Sequence, residues 1–189
     1  MKHVYSIVVF LIMMPPLAAQ GQNPILFVTQ VPTSGFTSVT QTFSNHVPSM
    51  NNAPRGGDLM ILYPDGTLRN LTREAGYGDS NEIQGKNSIS VRQPCVHWSG
   101  KKALFSMVIG APTKIWEIFE AKWQIYEIEG LGKDEKPKIT KLPHQPEMYN
   151  NISPIYGSDD NIIFTSDMPI TKKSYHYPPL DEYENAQVV

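Results

Sequence analysis

An internal repeat, with a spacing of about 60 residues, constrains the fold of this chain more than any other feature. The segment PCVHWSGKKALFS, which begins at Pro94, aligns with PIYGSDDNIIFTS, which begins at Pro154. Each has a proline, a short apolar strand, a turn of small and polar residues, and an apolar strand ending in Phe and Ser or Thr. Two such strands joined by a polar turn predict a β-hairpin. The repeat therefore predicts a fold built from similar antiparallel units.

Two other segments predict hairpins of a second kind. In DLMILYPDGTLRNLT, apolar residues alternate from Leu59 to Tyr63, and Asp-Gly follows in a turn that needs the positive φ tolerated by glycine. The segment QIYEIEGLGKDEKPKITKL, from Gln124, corresponds to it with a longer turn. ILFVT at Ile25 matches the second strand of the first kind of hairpin. The predicted order is therefore one strand followed by four hairpins.

The remaining segments are predicted to connect these strands. Residues 35–52 and 73–88 are polar and rich in Ser, Thr, Asn or Gly, and both are predicted to be loops. Residues 113–122 have apolar spacing that suits a helix or a strand, so this segment is left open. Sixteen prolines and thirteen glycines also indicate many turns and few long helices.

The hairpin order resembles the TolB-type (WD40-like) β-propeller repeat, in which a strand, a DG turn and LT precede a P.WSPDG..I.F.S segment. APRGGDLMILYPDGTLRNLTREAGYG, VHWSGKKALFSMV and NNISPIYGSDDNIIFTSD are also similar to the N-terminal propeller region of exported proteins related to the hydrazine synthase alpha subunit. The resemblance implies an all-β fold: over residues 20–189, a partial β-propeller of about two to three four-stranded antiparallel blades from a ring of about six. In that family the redox chemistry resides in c-type haems outside this region.

Two departures from the family affect what can be expected. No C-x-x-C-H motif occurs, so covalent haem attachment has no basis in this sequence and no cofactor is predicted. Two full units and one leading strand do not close a ring. We expect either a fragment of a longer gene product, which we favour, or further copies or protein partners that complete the propeller.

The N-terminus has the pattern of a secretory signal peptide. Lys2 provides a basic start, an apolar run extends from Val4 to Met14, and small residues precede a predicted cleavage site after Ala19. Residues 1–19 are therefore predicted to be removed, which makes the protein periplasmic or secreted. The later sequence has no apolar run long enough to span a membrane, and no basic stripe for nucleic acid.

Cys95 and His97 are the first candidates for chemistry, because in a strand they lie on one face, where they could bind a metal. No second CxxC or HxxxH pair completes four ligands, so packing is the favoured interpretation. Ser80, in GYGDSN, is similar to the serine of GDS-type hydrolases, but no D-x-x-H follows it. A turn in a loop is the better interpretation of Ser80.

Carboxylate clusters and loop residues supply the other candidates. Two carboxylate clusters are minor candidates for calcium binding, because hard cations bind clustered carboxylates. Four further residues, chosen by their charge and their position, are candidates for a ligand-facing surface. The calcium candidates are Asp159 and Asp160, and then Asp181, Glu182 and Glu184. The ligand-facing candidates are His46, Arg55, Arg92 and Trp98.

Three functions remain open from the sequence. The leading hypothesis is an exported, non-catalytic propeller segment that acts as a scaffold or protein-interaction domain, because no complete catalytic set is found. The second is a subunit of a multihaem redox complex similar to hydrazine synthase. The third is a carbohydrate- or peptide-binding propeller, suggested by Trp98, Trp116, Trp123 and the nine tyrosines.

Overall fold

The computed structural model describes residues 23–31, 55–78, 85–111 and 120–168 of the chain. Within these ranges the fold is all-β, as predicted, with nine strands, one short helix and three antiparallel sheets. The elements are β1 Ile25–Val28, β2 Leu59–Leu62, β3 Leu68–Asn70, α1 Leu71–Glu74, β4 Gly85–Val96, β5 Lys102–Ala111, β6 Gln124–Glu129, β7 Lys138–Lys141, β8 Asn151–Tyr156 and β9 Ile162–Ser166. The first sheet is β1-β2-β3, the second is β4-β5-β6-β7 and the third is β8-β9.

The predicted hairpins are confirmed where the chain is described. Between β2 and β3 the turn is closed by the Gly66 amide, which donates to the Tyr63 carbonyl at 2.9 Å. Gly66 has φ +84°, the conformation for which glycine is favoured. Asp65 accepts a hydrogen bond from the Thr67 amide at 3.0 Å. Local turn chemistry therefore sets this hairpin, as the Asp-Gly pair indicates.

The three sheets pack face to face in the order in which the chain makes them. The largest apolar cluster lies between the first and second sheets, and it includes Leu59 and Ile61 from β2 with Phe105 and Tyr126 from the second sheet. The opposite face of the second sheet contributes Leu104 and Ile125 to a cluster with Tyr156, Ile162 and Phe164 of the third sheet. The second sheet is therefore buried on both faces.

The repeat is reproduced in three dimensions, including an irregularity that we did not predict. The pairing of β4 with β5 shifts register between Arg92 and Cys95, and the pairing of β8 with β9 shifts between Ile152 and Ile155. At both shifts the residue before the proline has φ +54°. The two residues, Gln93 and Ser153, are joined by a hydrogen bond from the Ser153 amide to Gln93 Oε1 at 2.8 Å.

One expectation about a connection was wrong. The predicted loop over residues 73–88 ends early, because β4 begins at Gly85. Ser88 and Ser90 of β4 are buried, so a polar composition concealed the beginning of a strand. The second hairpin strand, β3, ends at Asn70, whose Oδ1 accepts from the Arg73 amide at 3.0 Å and caps α1.

Several predictions fall outside the described ranges, namely the signal peptide at residues 1–19, the loop at 35–52 and most of the open segment at 113–122. Among the residues that are described, no helix is long and apolar enough to cross a membrane.

Candidate binding site at the hairpin turns

The turns of the two repeated hairpins meet in a group of four residues, His97, Trp98, Tyr156 and Asp160, which we call the turn cluster. The ring centroids of His97 and Trp98 lie 4.5 Å apart, and those of His97 and Tyr156 lie 4.8 Å apart with the rings edge to face. Trp98 and Tyr156 are 6.3 Å apart. The repeat brings these side chains together because it stacks one hairpin on the other.

Both ring nitrogens of His97 are hydrogen-bonded. The Ser99 amide donates to Nδ1 at 3.1 Å, and Ser99 Oγ lies 2.7 Å from the same nitrogen. Nδ1 is therefore an acceptor, so Nε2 carries the proton and donates to Asp160 Oδ1 at 2.9 Å. The side chain of His97 is 8% exposed, whereas that of Asp160 is 63% exposed. The histidine thus connects a buried position in one hairpin to the exposed turn of the other.

Ser99, His97 and Asp160 are the residue types of a hydrolytic triad, but the hydrogen bonds of Ser99 are those of a tight turn. Ser99 Oγ accepts from the Lys101 amide at 3.3 Å, and its own amide is bonded to His97. Serine in this arrangement satisfies the backbone of a tight turn, which is a common use of its hydroxyl. The arrangement therefore orients His97 and Trp98.

Charged groups border the cluster. The Tyr156 hydroxyl donates to Glu127 Oε1 at 2.9 Å, and Lys102 Nζ lies 3.0 Å from the same oxygen and 5.1 Å from the Tyr156 ring. Burial and then the hydrogen bond to Glu127 raise the pKa of Tyr156 well above its ordinary value. The phenol therefore remains a donor at neutral pH.

The ligand-facing candidates are divided by the structure. Trp98 is 62% exposed and belongs to the turn cluster, whereas Arg55 and Arg92 are 2% and 4% exposed. Arg55 Nε donates to the Gly110 carbonyl at 2.8 Å, and the Arg92 guanidinium lies 4.3 Å from the centre of the Trp123 ring. Desolvation by burial lowers the pKa of each arginine to about 10, so both remain charged at neutral pH. His46 lies outside the described residues.

The other candidates have structural contacts where they are described. Cys95 is a free, half-buried cysteine that packs against the apolar cluster of Leu104 and Tyr156, which is the contact that the packing interpretation expects. Asp159 Oδ1 accepts from the Asn161 amide at 3.2 Å, within the turn. No group of three or more His, Cys, Asp or Glu residues that could hold a metal occurs among the described residues. Ser80, Asp181, Glu182 and Glu184 lie outside them.

Sequence reasoning missed the contributions of Tyr156, Asp160 and Glu127 to one site. The alignment of the repeats contained a usable signal, because it matched the turn after Trp98 with the turn at residues 157–161. That match predicts similar turns, but contact between them requires the two sheets to be stacked. The register of stacking is a tertiary property.

Comparison with known proteins found no matching protein-family model, no matching curated protein and no matching solved structure. The resemblance to TolB-type repeats consequently depends on the motifs quoted above, and it remains a prediction about this chain.

Proposed function

We propose that this protein is an exported, non-catalytic scaffold of the β-propeller type that presents its hairpin turns and an outer sheet face to protein partners or to further units of the ring. The supporting observation is the stacking of three antiparallel sheets in chain order, with the second sheet covered on both faces. Stacked antiparallel units of this kind are the building principle of propellers.

The outer face of the third sheet carries an exposed apolar pair, which supports the proposal of a further partner. Ile155 and Ile163 are directly opposite in register, so their side chains are on the same face of β8-β9. They are 50% and 56% exposed, whereas Tyr156 and Phe164 pack against the second sheet. An apolar pair on an open sheet face gains free energy when another surface covers it, at about 25 cal/mol per Å² of apolar area. Another propeller unit or a partner protein would provide that cover.

Site-specific photo-crosslinking of the full exported chain tests the scaffold. A photoreactive phenylalanine analogue at position 163 or 98 is expected to give a discrete covalent product with a protein, while the same analogue at the exposed Lys86 is expected to give none. A product containing the same gene product indicates further ring units, and a product containing another protein indicates a partner. The proposal is wrong if positions 163 and 98 react no more than position 86, or if purified protein shows turnover that one substitution abolishes.

A carbohydrate- or peptide-binding function is a second candidate, favoured by the exposed Trp98 ring beside His97 and Tyr156. Aromatic rings bind sugar faces and peptide side chains through their apolar area and their polar edges. Binding of a soluble glycan or peptide that is lost in Trp98→Ala and retained in Ile163→Asp would favour it over the scaffold. A glycan array without hits would remove the carbohydrate version.

The multihaem alternative stays a prediction, because none of the described contacts bears on it. An absorbance scan of the protein purified from its natural source, together with the proteins that accompany it, tests the idea. A Soret band that co-purifies with this chain would support it.

A further inference from the structure

The two repeated hairpins share one pairing register but have different numbers of neighbouring strands. Every register pair between β8 and β9 has a counterpart between β4 and β5, and the bulge falls at the same place. The pairs Val91 with Met107, Arg92 with Ser106, Cys95 with Leu104 and Val96 with Ala103 correspond to Asn151 with Ser166, Ile152 with Thr165, Ile155 with Ile163 and Tyr156 with Ile162. At its other edge β5 pairs with β6, whereas within the described ranges β9 pairs with β8 alone. In the described part of the chain, the third sheet thus has an open edge along β9.

The backbone groups at this open edge follow from the alternation of an antiparallel ladder. The Asp167 amide donates to the Asn150 carbonyl at 3.2 Å, so the backbone groups of Asp167 are directed toward β8. Successive residues of a strand direct their backbone groups to opposite sides. The amides and carbonyls that point away from β8 are therefore those of Ile162, Phe164 and Ser166. They form a row of donors and acceptors with which another strand can pair.

The side chains along the open edge are less buried than their counterparts in the second sheet. Ala103 and Phe105 on β5, which has β6 beside it, are both 0% exposed. Their counterparts Ile162 and Phe164 are only half-buried, although Phe164 packs against the apolar cluster between the second and third sheets. A strand beside β9 would bring a side chain next to each of them on the same face. An apolar side chain opposite Phe164 would cover its exposed part.

The sequence after β9 contains a short segment that matches the beginning of β6. Strand β6 begins with Gln124-Ile125-Tyr126, and the later segment is Gln187-Val188-Val189, which lies outside the described ranges. Each is a glutamine followed by two apolar residues of types that favour strands. Residues 112–123 connect β5 to β6, and the longer stretch 167–186 separates β9 from the later segment. The chain is therefore long enough to return along the open edge of β9.

We propose that the segment Gln187-Val188-Val189 pairs antiparallel with β9 and adds a third strand to the third sheet, as β6 does beside β5. This inference deepens the scaffold proposal and rests on the same equivalence of the stacked units. It assigns the edge of β9 to the chain itself. The outer face of the third sheet, with Ile155 and Ile163, remains for a further unit or a partner.

The second sheet also specifies the register of this pairing. Transfer of the register between β5 and β6 to the third sheet places Val188 opposite Thr165 and Val189 opposite Phe164. Val189 would then cover the half-buried Phe164 ring. Because the backbone groups of Thr165 are directed toward β8, Thr165 and Val188 form a pair without hydrogen bonds between their own backbones, with Cα atoms about 4.5 Å apart.

Paired cysteines test both the pairing and its register. The full chain with Thr165→Cys and Val188→Cys, and with Cys95→Ala to remove the natural thiol, is refolded with oxidised glutathione, which accepts the two electrons. The expected Cα separation is within the range of disulfides. We expect an intramolecular disulfide, detected by mass spectrometry as a monomer that has lost two hydrogens. The matched control is Thr165→Cys with Gln187→Cys, which should give about tenfold less disulfide because alternation turns position 187 to the opposite face.

Hydrogen exchange supplies a second measurement that needs no engineered thiol. In the original full chain, the amides of Phe164 and Ser166 are expected to exchange slowly, because both would donate to the added strand. Removal of residues 186–189 is expected to accelerate their exchange by at least about tenfold. Thr165 is the internal control, because its amide is directed toward β8 and its exchange should change much less.

Three results would overturn the proposal: no excess of disulfide over the control pair, a disulfide that forms only between two copies, or exchange at Phe164 that is unchanged when residues 186–189 are removed. A disulfide between copies would assign the edge of β9 to a second chain. None of these results depends on crosslinking at positions 163 and 98, so failure of this pairing and failure of the scaffold proposal are distinguishable.

Discussion

At the scale of single residues, the turn cluster shows how chemically suggestive side chains can be used to join two hairpins. His97 has one ring nitrogen bonded within its own turn and the other bonded to Asp160 of the next hairpin. Asp160 has φ +61°, a conformation that Asp and Asn tolerate better than most residues. Asp160 therefore suits this position in two ways: its carboxylate accepts the hydrogen bond from His97, and its backbone tolerates the positive φ of the turn.

Substitution of Asp160 tests this contact. Asp160→Ala is expected to lower the free energy of unfolding by about 1–2 kcal/mol, because it removes the acceptor of His97 Nε2–H and places Ala at a strained positive φ. Asp160→Asn retains an acceptor oxygen, and asparagine tolerates this φ, so the fall in the free energy of unfolding should be smaller. Urea denaturation measures both. If Asp160→Ala is as stable as the original chain, the contact does not stabilise the fold.

At the scale of elements, the paired bulges define where each inner strand bends. The residue before the proline has φ +54° at both bulges, and proline cannot donate to the ladder at the next position. The bulges lie against each other, joined by the hydrogen bond from the Ser153 amide to Gln93 Oε1. β4 and β8 are therefore equivalent strands whose irregularities coincide.

The two bulges offer a matched pair of glycine substitutions. Ser153→Gly is expected to stabilise the chain by about 0.5 kcal/mol, because relief of the positive φ slightly exceeds the entropy that glycine adds to the unfolded state. Gln93→Gly should gain less or lose stability, since it also deletes the acceptor for the Ser153 amide. Thermal unfolding of both variants checks the order. Greater stability of Gln93→Gly would contradict the described hydrogen bond.

At the scale of the whole molecule, polar clamps reinforce the apolar packing between the first and second sheets. The Tyr63 hydroxyl donates to the Leu131 carbonyl at 2.8 Å. Arg69 donates to the carbonyls of Gly132 and Glu135 at 2.6 and 2.7 Å while its guanidinium pairs with Glu74. Through these hydrogen bonds, side chains of the first sheet pair with backbone carbonyls in the loop between β6 and β7. The first sheet and this loop should consequently unfold together.

Arg69→Met tests the clamp. We expect the free energy of unfolding to fall by about 2–3 kcal/mol, because several carbonyls and the Glu74 carboxylate lose their donor at once. Arg69→Lys keeps the charge but not the planar fork, so its stability should be intermediate. Urea denaturation followed by tryptophan fluorescence provides the measurement. Equal stability of the Lys variant and the original chain would mean that charge, rather than the fork, holds the loop.

The hairpins were predictable because their signals are local. Alternation from Leu59 to Tyr63 and the Asp-Gly turn define one hairpin within a few residues, and the 60-residue repeat identifies two more. The beginning of β4 was missed because residues 85–88 are polar and look like the end of a loop. Ser88 and Ser90 are nevertheless buried, and β4 contacts β8, which lies about 60 positions later in the chain.

The sequence by itself determined the strand order, the turns and the equivalence of the repeated hairpins. Only the tertiary structure decided that Arg55 and Arg92 are buried, that Trp98 is exposed, and that His97 meets Asp160. Turn chemistry and alternation act between neighbours in the chain, whereas burial and contact depend on which sheet covers which face. The stacking of the sheets decides which face is covered, and the local sequence signals do not specify that stacking.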